Sequence, residues 1–220
     1  MNRSTINLHL GDSLEAMRGM EDNAYELAIV DVPYGIGVNV SMGRRKGDKK
    51  SSYHKFAGED KEAPSADYFE QLFRVSKNQI VWGANHFISK MPIDSSCWLM
   101  WDKGFSEDVT FAQFELAWTS FKTTCKKFDK HPANPNRIHP TEKPVKLYEW
   151  LLTNYAKEGD KILDTHSGSL SIGIACAELG FDLDAYELDS DYFESAHKRL
   201  VQHASQLNAF QPQPIISTFK

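Results

Sequence analysis

The sequence has no apolar run approaching the roughly 18 residues that a membrane-crossing helix needs, so a transmembrane segment is not expected. Its first residues, MNRSTINLHLGDS, lack the apolar core of a secretory signal. Cysteine is scarce. Cys97, Cys125 and Cys176 stand far apart and form no C-x-x-C, which argues against a disulfide framework or a zinc site and suits a reducing cytoplasm. No metal and no membrane contact are therefore expected, and a cytoplasmic location is. Internal repeats and low-complexity tracts are missing. So is the G-x-G-x-x-G fingerprint, which argues against NAD or FAD, because their pyrophosphate needs close backbone approach at a helix N-terminus.

What remains is a chain of 220 residues with 41% apolar content, enough for one cored domain with some elaboration. Its net charge of −5 conceals segregation. Residues 44–50 read RRKGDKK, and residues 122–146 hold seven Lys or Arg against Asp129 and Glu142. These two stretches contain 12 of the 25 basic residues. They read either as solvated loops or as the phosphate-facing side of an acidic body.

Strand-like runs alternate with helix-like runs, which predicts an α/β fold with a mainly parallel sheet. Seven strands are expected: Thr5–Leu10, Leu27–Asp31, Gln79–Trp82, Cys97–Trp101, Phe114–Trp118, Lys161–Asp164 and Leu183–Tyr186. Helices are signalled after Ser65, Thr141, Ser169 and Ser190 by apolar residues at helical spacing, with Gly159 and Gly180 as stops. The domain is expected to span 1–210, with 211–220 as a tail. Segments 35–63 and 122–140 lack a clear period and are long for loops, which favours a functional or disordered role. Both carry the basic stretches.

The segment KILDTHSGSLSIGIACAELGFDLDAYELD has a nucleotide-binding logic. A short strand ends in Asp164, a small-residue turn follows at Ser167, Gly168 and Ser169, and a second strand ends near Glu187, 23 residues after Asp164. A carboxylate there can accept two hydrogen bonds from a ribose cis-diol. S-adenosylmethionine (AdoMet) has no phosphate and tolerates a looser turn than the dinucleotides do. The same pattern also fits a β-turn-α unit that binds nothing.

Strand ELAIV runs into Asp31, Val32, Pro33 and Tyr34. The strand ends of open α/β sheets face the ligand crevice, so this tetrapeptide is a candidate site. An exocyclic amine on a base is a poor nucleophile because its lone pair is delocalised into the ring. Two acceptors aimed at its hydrogens localise that pair. The Asp31 carboxylate and the Val32 carbonyl can serve, Pro33 holds Val32 extended, and Tyr34 offers a stacking face. The base must first leave the duplex, at a cost of roughly a few kcal/mol. A lone D-x-P-Y reads more simply as a strand-terminal turn with a buried tyrosine.

In combination these motifs resemble the DNA amino-methyltransferases of the circularly permuted beta type, over Ile6–Leu200. Asp31-Val32-Pro33-Tyr34 stands for the family's D-P-P-Y, and it precedes the AdoMet-binding motif. LHLGDSLEAM implies that Asp12 contacts the cofactor's adenine. HPTEKP, His139 to Pro144, implies that Thr141 and Lys143 lie near its carboxylate. DTHSGSLS, Asp164 to Ser171, stands for D-P-F-x-G-S-G-T, with His166 in the aromatic slot. YELD puts Glu187 on the ribose, and IVWGANHF resembles a strand on the target side of the sheet. The resemblance implies a Rossmann-like AdoMet-dependent methyltransferase fold, with a seven-stranded, mostly parallel sheet and helices on both faces. It further implies methylation of adenine N6 in double-stranded DNA, since Asp heads the tetrapeptide more often in adenine enzymes and Ser in cytosine-N4 enzymes. The alternatives are a cytosine-N4 enzyme or a catalytically weakened DNA-binding relative.

Under this reading Gly35–Ala63 is a mobile clamp whose Arg44, Arg45, Lys46, Lys49 and Lys50 attract phosphate. Residues 102–140 are a small target-recognition region, to which Lys126, Lys127 and Lys130 lend charge. A reader that small suggests a short target or a homodimer, in a restriction-modification setting. Two departures stand out: Val32 replaces the first proline of the tetrapeptide, and Leu170 replaces the last glycine of the cofactor loop.

Overall fold

The computed structural model describes residues 3–37, 60, 62–91, 94–106, 112–130, 132, 138–139, 141–206 and 212–220. Within them the chain forms a nine-stranded sheet. In chain order its strands are β1 (Thr5–Leu10), β2 (Tyr25–Val30), β3 (Ser76–Trp82), β4 (Trp98–Asp102), β5 (Phe114–Thr119), β6 (Lys126–Asp129), β7 (Lys161–Asp164), β8 (Asp182–Glu187) and β9 (Ile215–Phe219). Across the sheet they lie in the order β6-β4-β5-β3-β2-β7-β8-β1-β9. Only β5 runs against the rest, antiparallel to both β3 and β4.

All seven expected strands form, and two more join them. β6 pairs parallel to β4, Leu99 opposite Lys126. β9 pairs parallel to β1, Thr5 opposite Ile215. Among the described residues the sheet therefore has nine strands rather than seven, and Ile215–Phe219 of the expected tail is one of them. The reason is the same at both edges: backbone pairing to an existing strand stabilises a segment with no apolar alternation of its own.

Five helices cover the two faces: α1 (Ser13–Arg18), α2 (Ala66–Val75), α3 (Val145–Tyr155), α4 (Ser171–Leu179) and α5 (Ser190–Ala204). Alternation along β2 sorts the two cores. Leu27 and Ile29 face α3, α4 and α5, packing with Leu147, Ile172 and Phe193. Ala28 and Val30 face α1 and α2, packing with Met17, Phe69 and Leu72. Helix starts follow their caps. Ser65 accepts from the Tyr68 N–H at 3.2 Å, and Asp189 accepts from Asp191 and Tyr192.

The chain leaves β2 through α2 to reach β3 on one side, and leaves β7 through α4 to reach β8 on the other. β2 and β7 are parallel neighbours, Ala28 opposite Leu163. The direction of winding thus reverses between them, and the crevice beyond their C-terminal ends is where open α/β sheets bind ligands. Asp31 follows β2 and Asp164 ends β7, so the two carboxyls flank that crevice. Among the described residues no helix is long and apolar enough to cross a membrane.

Candidate active site

At the end of β2 the chain leaves the sheet through the tetrapeptide. Val32 is buried, while Asp31, Pro33 and Tyr34 are partly exposed. The Tyr34 hydroxyl turns back toward the protein. It lies 2.9 Å from Asp31 Oδ1 and 3.0 Å from Glu115 Oε2, donating its single proton to one or the other. The Lys143 ammonium completes the group. Its Nζ is 2.5 Å from Asp31 Oδ1, 3.0 Å from Glu115 Oε2 and 3.2 Å from the Tyr34 oxygen. On the far side Lys103 Nζ approaches Glu115 Oε1 at 2.6 Å.

Four charges, two of each sign, therefore meet at one point. Burial pushes the Asp31 carboxyl up, and Glu115 adds to this, while Lys143 opposes it. Glu115 is also desolvated, but its two lysines outweigh that and hold it at about 2. Burial alone would lower Lys143, yet the two carboxylates keep it above the ordinary lysine value. Tyr34 is held firmly protonated by burial and the adjacent carboxylates.

A second element shapes the tyrosine. The segment after β3 turns at Gly83, which has φ +72°, and then forms a short 3-10 turn over Ala84–His86. The His86 ring stacks on Tyr34 with centroids 5.3 Å apart and planes 17° apart. One face of Tyr34 is thus already covered.

The residues expected on the cofactor side gather one strand over. Glu187 is buried at the end of β8, and its two oxygens accept from the Gly168 N–H at 2.8 Å and the Asp189 N–H at 2.9 Å. An ionised carboxylate has lone pairs to spare beyond those two bonds. Gly11 donates its N–H to the Glu187 carbonyl at 2.9 Å, which brings Asp12 beside it. Asp12 also caps α1, accepting from the Leu14 N–H at 2.8 Å. Asp164 is buried, and that burial pushes it up to about 8. Its Oδ1 accepts from the His166 N–H at 3.0 Å. His166 Nδ1 lies 2.9 Å from the Thr165 hydroxyl, which in turn is 2.6 Å from the Tyr68 hydroxyl. The His166 ring meets Tyr68 edge-on, and burial lowers its pKa to about 4. It therefore sits as a neutral ring.

The Ser167 hydroxyl is buried and has no partner among the described residues. An orphaned buried hydroxyl beside a ribose-type carboxylate fits a small polar ligand held at this turn. Leu188, next to Glu187, is 69% exposed and offers an apolar face there. Ser169 bonds Ser171, Oγ to Oγ, at 3.1 Å.

The HPTEKP segment ties the two halves together. Thr141 is occupied locally, its N–H and hydroxyl both within 3.3 Å of His139 Nδ1. The His139 ring lies against Gly168, 3.6 Å from where a Cβ there would stand. Arg199 of α5 reaches Glu142 at 3.3 Å and the Ser169 carbonyl at 2.7 Å. Lys143, expected beside the cofactor carboxylate, points into the Asp31 cluster. Sequence reasoning missed Glu115, Lys103, Gly83, His86 and Tyr68. Only the last three carried a signal, through the IVWGANHF stretch and the helix after Ser65.

On the surface, Lys126, Lys127 and Lys130 are exposed. Lys127 is engaged by Asp129 at 2.8 Å and Asp102 at 3.5 Å, which reduces the charge it can offer a phosphate. Lys126 leans on Asn154 and the Tyr155 ring. Arg44, Arg45, Lys46, Lys49 and Lys50, with most of the 35–63 segment, lie outside the described residues. Among the described residues no cluster of His, Cys, Asp or Glu could hold a metal ion.

Comparison with known proteins identifies the family and the fold. Residues 45–198, more than half of the chain, match the N6_N4_Mtase family, described as DNA methylase. The chain is 22% identical to the type II methyltransferase M.HpaI of Haemophilus parainfluenzae over 245 residues, covering 90% of this chain and 74% of that protein. The fold is shared with TTHA0409 of Thermus thermophilus in complex with S-adenosyl-L-methionine. There the TM-score is 0.62 and the identity 14%, over 98% of this chain and all of that one. It is also shared with the cytosine-N4-specific PvuII DNA methyltransferase, at TM-score 0.59 and 11% identity, over 98% and 96% of the two chains. The sheet and its crevice define an α/β fold of the AdoMet-dependent methyltransferase class. Within that class, the chain belongs to the N6/N4 family of DNA methyltransferases.

Proposed function

We propose that this methyltransferase transfers a methyl group from AdoMet to the exocyclic N6 amine of adenine in double-stranded DNA. The observation that carries this reading is the Asp31 carboxylate at the mouth of the β2–β7 crevice, one strand from the Ser167–Glu187 turn. When bound, AdoMet supplies an electrophilic methyl group on a sulfonium centre. Glu187 accepts from its ribose hydroxyls, Asp12 and the exposed Leu188 attend its adenine, and Ser167 and the neutral His166 line the turn. The Asp164 carboxyl, buried beside them, favours a positively charged ligand once it is ionised.

Asp31 Oδ2 and the Val32 carbonyl accept from no donor among the described residues. Each takes one hydrogen of the amine, which localises the nitrogen lone pair toward the methyl group. Val32 retains the carbonyl that this step uses. Pro33 fixes its direction. Tyr34, buttressed by His86, presents its remaining face to a base extruded from the duplex.

The basic residues 44–50 supply phosphate contacts, with Lys126 and Lys130 contributing more than the paired Lys127. The chain acts as a single domain in the cytoplasm, with target recognition between 102 and 140. A recognition region that small favours a short target or a homodimer. A partner restriction enzyme is consistent with the type II relative.

The fold itself is common to adenine and cytosine-N4 enzymes, so the product decides. Duplex DNA incubated with the protein and methyl-labelled AdoMet, then digested to nucleosides, is expected to yield labelled N6-methyladenine. Labelled N4-methylcytosine would replace the adenine assignment. Absence of label, with AdoMet bound, would leave a DNA-binding relative without transfer activity.

A further inference from the structure

The Asp31 cluster contains more charge than amine polarisation requires. One carboxylate and one backbone carbonyl would suffice, yet the buried Lys143 and the half-buried Glu115 both pack against Asp31. Burying an ion pair is costly unless its geometry is close to ideal, and here three acceptors saturate the ammonium of Lys143. Among the described residues the polar contacts to the Asp31 carboxylate fall on Oδ1, from Lys143 and Tyr34, and none reaches Oδ2.

Resting on the function proposed above, we infer that Glu115 and Lys143 are opposed positioning residues for Asp31. Lys143 anchors Oδ1 and keeps the group a carboxylate. Glu115 cancels the lysine's charge, so that Oδ2 stays basic enough to accept hydrogen from the substrate amine. Neither side chain needs to touch the base. The arrangement solves an electrostatic conflict. A buried carboxylate without a cation would protonate and stop accepting a second hydrogen. A carboxylate facing an uncompensated cation would be a weak acceptor. The pair also fixes geometry, because Tyr34 shares its proton between the same two carboxylates. β2, β5 and the HPTEKP segment are thereby locked at one point.

Other ionisable groups surround the cluster. Asp164 of β7 and Tyr148 of α3 both feel the Asp31 charge, and His139 feels that of Lys143. Lys103 binds the outer oxygen of Glu115. These groups are common to every variant below, so opposed movements within the set report Glu115 and Lys143 themselves.

The test is a titration of the Asp31 carboxyl in the free protein by carbon-13 NMR, assigned by its loss in Asp31→Asn. Glu115→Gln is expected to lower the midpoint by about one pH unit or more, and Lys143→Met to raise it by a similar amount. The double variant Glu115→Gln/Lys143→Met removes one charge of each sign and should return close to wild type. Should Lys143→Met fail to fold, the double variant must still titrate well above Glu115→Gln. Singles that move in the same direction, or a double variant that stays with Glu115→Gln, would overturn the inference.

Single-turnover methylation, with DNA and AdoMet prebound, adds a second readout. Its acidic limb should move in the same direction as the titration. Opposed titration shifts that the methylation profile ignores would keep the electrostatic inference and overturn the catalytic reading of Asp31.

Discussion

The ring of Tyr34 fills the space that any side chain at position 83 would need. A Cβ placed on Gly83 would lie 2.1 Å from Tyr34 Cε1. Gly83 also has φ +72°, a region that L side chains rarely adopt. Glycine at this position thus lets the turn after β3 pass behind the tetrapeptide and seat Tyr34 over Asp31.

Gly83→Ala is therefore expected to displace Tyr34. Backbone strain alone costs about 1–2 kcal/mol, and the ring must move as well. The Tm should fall, and methylation should drop by at least about tenfold, which corresponds to ~1.4 kcal/mol in the transition state. AdoMet affinity, which the proposed function assigns to residues one strand away, should change little by calorimetry. A variant with unchanged activity would remove Tyr34 placement from the account.

Leu170 presents a linked case. It is fully buried at the start of α4 with φ +56°, and a Cβ on Gly173 would stand 2.7 Å from its Cγ. Leu170→Gly relieves about 1–2 kcal/mol of backbone strain but opens a cavity costing about 2–5 kcal/mol. Net destabilisation is expected. Gly173→Ala should be damaging in the wild-type background and better tolerated beside Leu170→Gly. Chemical denaturation of the four proteins should reveal coupling of about 1 kcal/mol or more.

Glu187→Ala removes the acceptor for two backbone N–H groups and, under the proposed function, for the ribose. AdoMet affinity should weaken by about tenfold or more, since charge-assisted hydrogen bonds contribute about 1.5–3 kcal/mol each. Affinity for DNA should be nearly unchanged. Equal losses for both ligands would indicate general unfolding of the turn instead.

Two desolvated histidines, the buried His139 and the half-buried His166, predict an acid response. His139 and His166 both have folded values of about 4, against 6.5 when unperturbed, because burial disfavours their charged forms. The unfolded chain then binds more protons between those values. Stability is full above pH ~6.5 and falls as pH drops toward 4, by roughly 3 kcal/mol for each ring. Asp164 acts in the opposite sense. Its folded value of about 8 lies above the ordinary 3.8, so its contribution grows as pH falls from 8 toward 4. Replacing both histidines by Gln should flatten the decline of Tm between pH 6.5 and 4, and Asp164→Asn should steepen it. The reverse pair of changes would contradict these assignments.

The strands that could be read from the sequence were those with buried apolar runs, such as ELAIV and KILD. β6 and β9 could not be. KKFD exposes three of its four residues, and IISTF follows two prolines, so each looks like loop or tail until its partner strand is known. The site divides similarly. Asp31 through Tyr34 and Glu187 announce themselves because motif residues cluster at strand ends. Glu115 sits in FELAWT, where an acidic residue reads as one more outward position of an alternating strand. Only the antiparallel insertion of β5 beside β3 brings it to Lys143. Lys143 stands out in the HPTEKP motif, but its place beside Asp31 depends on how that segment folds between α5 and β2.

The central claim is that the Asp31 carboxylate polarises the amine of a DNA base. Single-turnover transfer from labelled AdoMet to duplex DNA, compared between wild type and Asp31→Asn, tests it most directly, with AdoMet affinity measured in parallel by calorimetry. The account predicts a fall of at least about tenfold in the transfer rate, or ~1.4 kcal/mol, with AdoMet binding largely retained. Transfer by Asp31→Asn at the wild-type rate would contradict it.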